Sequence, residues 1–231
     1  MKKISRIIPG FSILLIQGLL FLAPLNVCSQ EPMAVPRLPG ELFFDGVPDE
    51  EAWQKIAALP LVMHMPVYGN EPTELSVIKI AYDNDYLYVS GIINYKNPDN
   101  IRAFSKKRDY NYPKCDWLGI VIDTFYDRQN AVMFWTNPNG LRSEGTIQND
   151  AVDASTDMSF SWNTFWDVET NINDKGWSTE LRIPFSSLRF QTIDSRTLMG
   201  LTIVRWSPGK SELATFPVSY THLTLPTKRI V

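Results

Sequence analysis

Charged side chains stand at both ends of one apolar stretch of the chain, residues 115–127. Asp116 lies near its start, and Asp123 and Asp127 lie near its end. The loop before it, residues 108–114, adds two tyrosines and two cations. Polar groups at the end of a rigid strand can be positioned for binding. The alternative is that these acids only mark where the strand leaves the core.

Four aspartates form a candidate calcium site, because calcium binds carboxylate and carbonyl oxygens. Asp83 and Asp85 lie in one polar turn, while Asp123 and Asp127 follow the central stretch. The sequence lacks the ligand spacing of an EF-hand loop. Calcium is therefore the one candidate cofactor, and these four aspartates are its candidate ligands.

The residues needed for nucleophilic catalysis are scarce. Ser/His/Asp and Cys/His arrangements both require a histidine. Apart from His222 near the C-terminus, the sequence contains only His64, in the apolar run LVMHM, where a residue of a sheet is expected. No His/Cys cluster has zinc spacing, and no glycine-rich phosphate loop is present. We therefore expect no catalytic residues in this fragment.

Glycoside hydrolysis is the remaining enzymatic alternative, since it needs two carboxylates about 5–10 Å apart across a cleft. Glu180 alternates with Ser178 and Arg182 in the pattern of a solvent-facing strand. Glu144 and Asp123 follow the same pattern. Part of a glycoside hydrolase acting on O-glycosyl bonds thus remains an alternative function.

The elements that must position these residues are short strands. Leu118, Ile120 and Ile122 alternate with residues that are themselves partly apolar, which predicts a central strand covered on both faces. Asp49 is predicted to cap a short helix that runs to Ala58. Further strands are predicted at 42–44, 61–65, 75–82, 86–93, 131–136, 141–148, 162–170, 177–183 and 199–206. This pattern indicates an all-β, two-layer antiparallel β-sandwich with one short N-terminal helix.

The N-terminal residues 1–29 have the composition of a signal peptide. A basic start is followed by an apolar run, and small residues stand at Val27 and Ser29. Lipidation of Cys28 is the alternative. We expect an exported protein, in the periplasm, the outer membrane or at the cell surface. Because only Cys115 remains after cleavage, an internal disulfide is excluded from the mature domain.

The C-terminal residues 218–231 are predicted not to belong to the natural fold. The string VSYTHLTLPT resembles the translation of a transposon-based sequencing adapter. An ordinary β-rich tail is the alternative. The predicted organisation is therefore a signal peptide at 1–29, a proline-rich linker at 30–40 and a truncated sandwich domain at 41–217.

Four sequence blocks in order resemble one known family. They are FDGVPDEEAW (44–53), AYDNDYLYVSG (81–91), CDWLGIVIDTFYDRQNAVMFWTNPNG (115–140) and DKGWSTELRIPFSSLRF (174–190). Together they resemble the family 9 carbohydrate-binding module, in the version found at the N-terminus of large Bacteroidetes-type outer-membrane proteins of unassigned function. The resemblance implies a sandwich that binds sugars, in a family whose members are often attached to glycoside hydrolases.

The resemblance also indicates where sugar would bind. In xylanase-linked members two tryptophans sandwich a terminal sugar, and structural calcium is bound. One ring lies just upstream of the first acid of the central strand, where this chain has Pro113 beside Tyr112. The second ring would lie beyond Trp206. Neither position in this chain carries a tryptophan that clearly matches those of the family.

The loop before the central strand offers its own set of candidate sugar contacts. Pyranose faces stack on aromatic rings, and sugar hydroxyls bond to charged and amide side chains. Alternatively, the loop is a solvated connection with its tyrosines flat on the sheet. Trp135 and Trp162 are weaker candidates, being more often core residues. The carbohydrate-binding candidates are Arg108, Tyr110, Tyr112, Lys114 and Asp116.

These inferences predict a secreted or cell-envelope domain that binds carbohydrate without cleaving it and serves polysaccharide binding and catabolism. The alternative is a structural or interaction domain, without sugar affinity, for a C-terminal membrane barrel of the same natural chain. Nucleic acid is not an expected partner, because the net charge of −3 provides no general basic field.

Overall fold

Alternating apolar and polar residues build two sheets that face each other. The computed structural model describes residues 32–109, 113–192 and 196–226, which belong to one unit, Glu31–Val231. The strands of the described chain are β1 (Met33–Ala34), β2 (Val62–Met65), β3 (Ser76–Tyr82), β4 (Tyr86–Asn94), β5 (Trp117–Asp123), β6 (Ala131–Thr136), β7 (Ser143–Ile147), β8 (Met158–Ser159), β9 (Asp167–Asn173), β10 (Gly176–Pro184), β11 (Arg196–Ser207) and β12 (Glu212–Pro226).

The helices are short. The α-helices are α1 (Glu51–Gln54) and α2 (Ala154–Asp157), and the 3₁₀ turns are Pro98–Asn100, Asn149–Ala151 and Phe185–Ser187. None of the helices in the described part of the chain is long and apolar enough to span a membrane.

The two sheets differ in size. The larger has the order β1-β12-β11-β5-β6-β7-β8, with β2 also paired to β12, and the smaller has the order β3-β4-β10-β9. The pairs are antiparallel except β1 with β12, which are parallel. Apolar side chains of both inner faces form the main core. The predicted all-β, two-layer antiparallel sandwich is confirmed.

The central strand is β5, as predicted. It lies between β11 and β6, and Leu118, Ile120 and Ile122 point into the core with no exposed surface. Trp117 and Gly119 alternate with them and face the other side of the sheet. That outer face is covered by side chains as well, so the strand is buried almost throughout.

The N-terminal segment, residues 38–56, covers the outer face of the smaller sheet. Trp53 and Ile56 of this segment pack with Ala81 of β3 in a second apolar cluster. The hydroxyl of Ser178 on β10 donates to the carbonyl of Gly46 at 2.6 Å. Because of this cover, β10 is buried on both faces although the smaller sheet has only one core side.

Several predicted boundaries differ from the structure. Residues 42–44 form no strand, because they belong to the segment that lies across the smaller sheet. The predicted N-terminal helix exists but ends at Gln54, and a second one-turn helix, α2, is present. The strand predicted from residue 162 begins only at Asp167. The final strand, β12, was not predicted and includes residues 218–226 of the suspected adapter-derived tail, whose origin stays a prediction.

Candidate functional site

Three tryptophans on adjacent strands form a patch on the outer face of the larger sheet. Trp117 of β5 lies directly opposite Trp206 of β11, and Trp135 of β6 lies opposite Gly119, two residues further along β5. Trp117 is buried, whereas Trp135 and Trp206 are half-buried. Leu141 and Cys115 pack beneath them. We call Trp117, Trp135 and Trp206 the tryptophan patch.

The ring of Trp135 lies directly on Gly119. A β-carbon at Gly119 would stand 2.4 Å from the Trp135 ring, so only glycine leaves room for it. The indole Nε1 of Trp135 is buried without a hydrogen-bond partner, and so is the hydroxyl of Ser143, its cross-strand neighbour on β7. Both atoms are enclosed, so they belong to the packing of the patch and are not placed to contact a ligand.

A loop rich in cations, residues 102–116, is attached on both sides of the patch. At one side the Nε1 of Trp206 donates to the carbonyl of Pro113 at 2.7 Å. At the other side the amide of Asp109 donates to the carbonyl of Arg142 at 3.1 Å. We call this segment the cationic loop. The residues that join Asp109 to Pro113 in the chain lie outside the described residues.

Asp116 anchors the C-terminal end of the cationic loop. Its side chain has no exposed surface. One oxygen accepts hydrogen bonds from the Tyr95 hydroxyl and from Arg205 Nη2 at 2.9 Å, and the other accepts from the Arg102 amide at 2.7 Å. Burial, above all, raises the pKa of Tyr95 to about 12, so its hydroxyl remains a donor at neutral pH. Asp116 therefore holds the loop and is not placed to contact a sugar.

Arg108 is also turned inward. Its guanidinium forms an ion pair with Glu144 of β7, which has no exposed surface, and reaches the carbonyl of Thr164 at 3.5 Å. Glu144 also accepts from Trp166 Nε1 at 2.9 Å. The ion pair fixes the middle of the loop to the larger sheet, which leaves Arg108 as a support for the loop.

Among the predicted candidates that the structure describes, Lys114 lies next to the patch, and its charged group has no hydrogen-bond or ion-pair partner in that part of the chain. It is exposed and follows Pro113, whose carbonyl is bonded to Trp206. Tyr110 and Tyr112 lie outside the described residues. The weaker candidate Trp162 packs against the core and contacts Phe134 edge-to-face.

The four candidate calcium ligands are divided between two turns. Asp83 accepts from the amide of Asp85 at 2.8 Å and caps the β3–β4 turn. Asp123 accepts from the amide of Asp127 at 3.2 Å and caps the β5–β6 turn. In the described parts of the chain no group of three or more His, Cys, Asp or Glu residues is arranged to hold a metal ion.

Glu180 is buried, so the predicted solvent-facing pattern is wrong for β10. Its Oε1 accepts from Trp53 Nε1 at 2.8 Å, and its Oε2 accepts from the amides of Gly46 at 3.0 Å and Asp45 at 3.1 Å. Burial raises the pKa of Glu180, although these hydrogen bonds oppose the shift. The carboxylate anchors the N-terminal segment to the smaller sheet.

Glu144 and Asp123 are buried too, at 0% and 2% exposed. The alternation along a strand places a residue on a face but does not show what covers that face. The acids considered for hydrolysis therefore serve as acceptors for neighbouring donors, as Glu180 does.

Sequence reasoning did not single out Trp206 or Arg102, and it ranked Trp135 low. The alternation that places Trp117 on the outer face of β5 extends, by strand pairing, to Trp135 and Trp206. That pairing cannot be known from the sequence of one strand alone. Arg102 sits in an irregular loop, where no periodicity indicates its position.

No protein-family model and no curated protein sequence matches the chain. Solved structures do resemble it. Two are of a family 9 carbohydrate-binding module from Caldicellulosiruptor kristjanssonii. The complex with glucose has a TM-score of 0.58 at 15% identity and covers 87% of this chain and 98% of that chain. The complex with cellotriose has a TM-score of 0.55 at 17% identity, with coverages of 87% and 96%.

A candidate carbohydrate-binding protein from Bacteroides uniformis has a TM-score of 0.61 at 9% identity, and the alignment covers 83% of this chain and 97% of that chain. At these identities the likeness concerns the fold. It agrees with the resemblance of the four sequence blocks. The chain is a β-sandwich with the fold of the family 9 carbohydrate-binding modules.

Proposed function

We propose that this domain binds carbohydrate at the tryptophan patch and the cationic loop. The observation that carries the proposal is Trp206, a half-buried indole held beside the loop by its bond to Pro113. Indole faces stack on the C–H groups of a pyranose, and the flanking polar groups can bond its hydroxyls.

The solved structures support carbohydrate binding, though not the choice of site, because the module from Caldicellulosiruptor kristjanssonii holds glucose or cellotriose on the same fold. Tyr110 and Tyr112 remain proposed sugar contacts on the strength of their sequence position. Binding without bond cleavage is the proposed activity, since Glu144 and Glu180 are buried and already accept several hydrogen bonds.

We infer that the domain acts outside the cytoplasm, in capturing polysaccharide for catabolism at the cell envelope. The basic start and apolar run of residues 1–29 support export. Detection of the protein in an envelope fraction, with cleavage near Ser29 shown by N-terminal sequencing, tests this inference.

Binding is tested with the full chain on a glycan array, followed by calorimetry on the glycans retained. Trp206→Ala is expected to weaken binding about fivefold, since the loss of one stacked ring is worth about 1 kcal/mol. Trp206→Phe keeps a ring and should retain part of the affinity. Tyr112→Ala is expected to weaken binding as well.

The matched control is Phe43→Ala, which removes an aromatic ring that is 75% exposed on the N-terminal segment. It should leave the affinity unchanged. Thermal unfolding of each variant shows whether the fold is intact. If no glycan binds to the folded protein, the proposed function is wrong.

A further inference from the structure

The loop beside the tryptophan patch is rich in exposed cations although the chain as a whole is acidic. The cationic loop contains five cations and two acids, while the net charge of the chain is −3. The exposed cations of the loop, none of whose charged groups has a hydrogen-bond or ion-pair partner in the described chain, are Arg102, Lys106, Lys107 and Lys114.

Arg102 and Lys114 flank Trp206. Arg102 reaches the β11–β12 turn, which begins just after Trp206. Its Nε lies 3.8 Å from the position that a β-carbon on Gly209 of this turn would occupy. Lys114 follows Pro113, which accepts the bond from the Trp206 indole. The backbone of Arg102 is fixed by its bond to Asp116. The backbone thus brings two exposed cations close in the fold to one half-buried ring.

Lys106 reaches the β6–β7 turn, which follows the strand that carries Trp135. Its Cε lies 4.0 Å from the place of a β-carbon on Gly140, at the β6–β7 turn. The carbonyl of Ser105 accepts from Asn137 Nδ2 at 2.9 Å, which fixes this part of the loop. The cations therefore lie at two turns that follow the strands carrying Trp206 and Trp135.

The nearby acids do not neutralise these cations. Asp116 is buried in its pair with Arg205, and Glu144 is buried in its pair with Arg108. Asp109 is exposed and lies 3.9 Å from Nε of Arg108, which already pairs with Glu144, so Asp109 offsets only one of the four exposed cations. The local field is therefore positive, and an anionic ligand gains from it without displacing an existing ion pair.

We propose, building on the carbohydrate binding inferred above, that the site selects acidic glycans. The ring of an anionic sugar unit stacks on Trp206, while its carboxylate or sulfate group is bound by Arg102 and Lys114. A guanidinium can bind such a group in a bidentate manner, and a lysine adds a point charge. Neutral glycans would make only the stacking and hydroxyl contacts.

Calorimetry of the full chain with matched polymer pairs tests the selection. Polygalacturonate is compared with its methyl ester, and dextran sulfate with dextran, so that each pair differs in charge. The acidic member of at least one pair should bind roughly tenfold more tightly at low salt, and the difference should shrink as NaCl is added. A preference in the first pair identifies carboxylate, and one in the second identifies sulfate.

Charge-removing variants locate the selection. Arg102→Gln or Lys114→Gln should weaken binding of the acidic polymer about threefold each, and the double variant about tenfold, whereas binding of the neutral polymer should fall less, so that the preference for the acidic polymer shrinks. The control is Arg189→Gln, which changes an exposed arginine in the segment that follows β10, a strand of the smaller sheet. It should change neither affinity.

Two results would overturn the proposal. Equal affinities within both polymer pairs would show that the site does not select acidic glycans. If that binding were still weakened by Trp206→Ala, carbohydrate binding at the patch would remain supported. Binding of single-stranded DNA or phosphatidylglycerol vesicles as tight as that of the acidic polymers, and unaffected by Trp206→Ala, would replace both ideas with a general polyanion surface.

Discussion

At the scale of single residues, buried carboxylates organise this domain. Glu180, Glu144 and Asp116 each accept several hydrogen bonds from segments far away in sequence. Removing a partner from a buried charge costs far more than removing an exposed charge. Each acid therefore fixes a segment that has little regular structure of its own.

Glu180 should give the stability a pH dependence. Burial raises its pKa above the ordinary value of 4.5 in the folded protein. Its contribution to the free energy of unfolding is therefore fully present below the unfolded pKa and is lost as the pH rises through the folded pKa. Urea unfolding between about pH 4 and 8 should show this decline, and Glu180→Gln should abolish it.

Glu180→Gln should also lower the free energy of unfolding by about 1–3 kcal/mol, because the amide cannot accept from Trp53, Gly46 and Asp45 together. Glu41→Gln, at an exposed carboxylate, is the control. If Glu41→Gln removed the fall in stability with rising pH as fully as Glu180→Gln does, Glu180 would not be the cause of that fall.

At the scale of elements, alternation in the sequence predicted most strands but not what covers them. β5, β6 and β10 lie where their patterns place them, because period-two burial is a local property. The cover over Glu180 comes from residues more than a hundred positions away, and no local pattern encodes it. The tryptophan patch likewise depends on strand pairing between β5, β6 and β11.

Gly119→Ala tests the packing of the patch. The added methyl group would stand 2.4 Å from the Trp135 ring, so the ring must move. We expect a loss of about 1–3 kcal/mol in the free energy of unfolding, a changed near-ultraviolet circular dichroism spectrum and weaker ligand binding. Gly40→Ala, whose nearest neighbour would lie at 3.6 Å, is the control. An unchanged spectrum would contradict the stacked position of Trp135.

At the scale of the whole molecule, each sheet is covered on its outer face at one point by an irregular segment. The N-terminal segment covers the smaller sheet, and the cationic loop borders the patch on the larger one. Asp116 connects the two sheets at one end, because it bonds Tyr95, directly after β4, and Arg205 of β11. The candidate binding site therefore rests on the point where the layers are joined.

Asp116→Asn should weaken this junction strongly. The substitution leaves Arg205 buried beside a neutral side chain, so the free energy of unfolding should fall by about 3–5 kcal/mol. Denaturant unfolding measures this change. Glu51→Gln, which removes an exposed partner of Lys55, should cost less than about 1 kcal/mol. Similar losses in the two variants would refute the role of Asp116 as a junction.

The free thiol of Cys115 lies under the tryptophan patch with no exposed surface, and burial raises its pKa. A protonated and enclosed sulfur does not react with alkylating reagents. Labelling of this residue consequently requires the cationic loop to lift from the sheet. The rate of alkylation of Cys115 therefore measures how often this region opens locally. A bound ligand that holds the loop against the sheet should slow the alkylation.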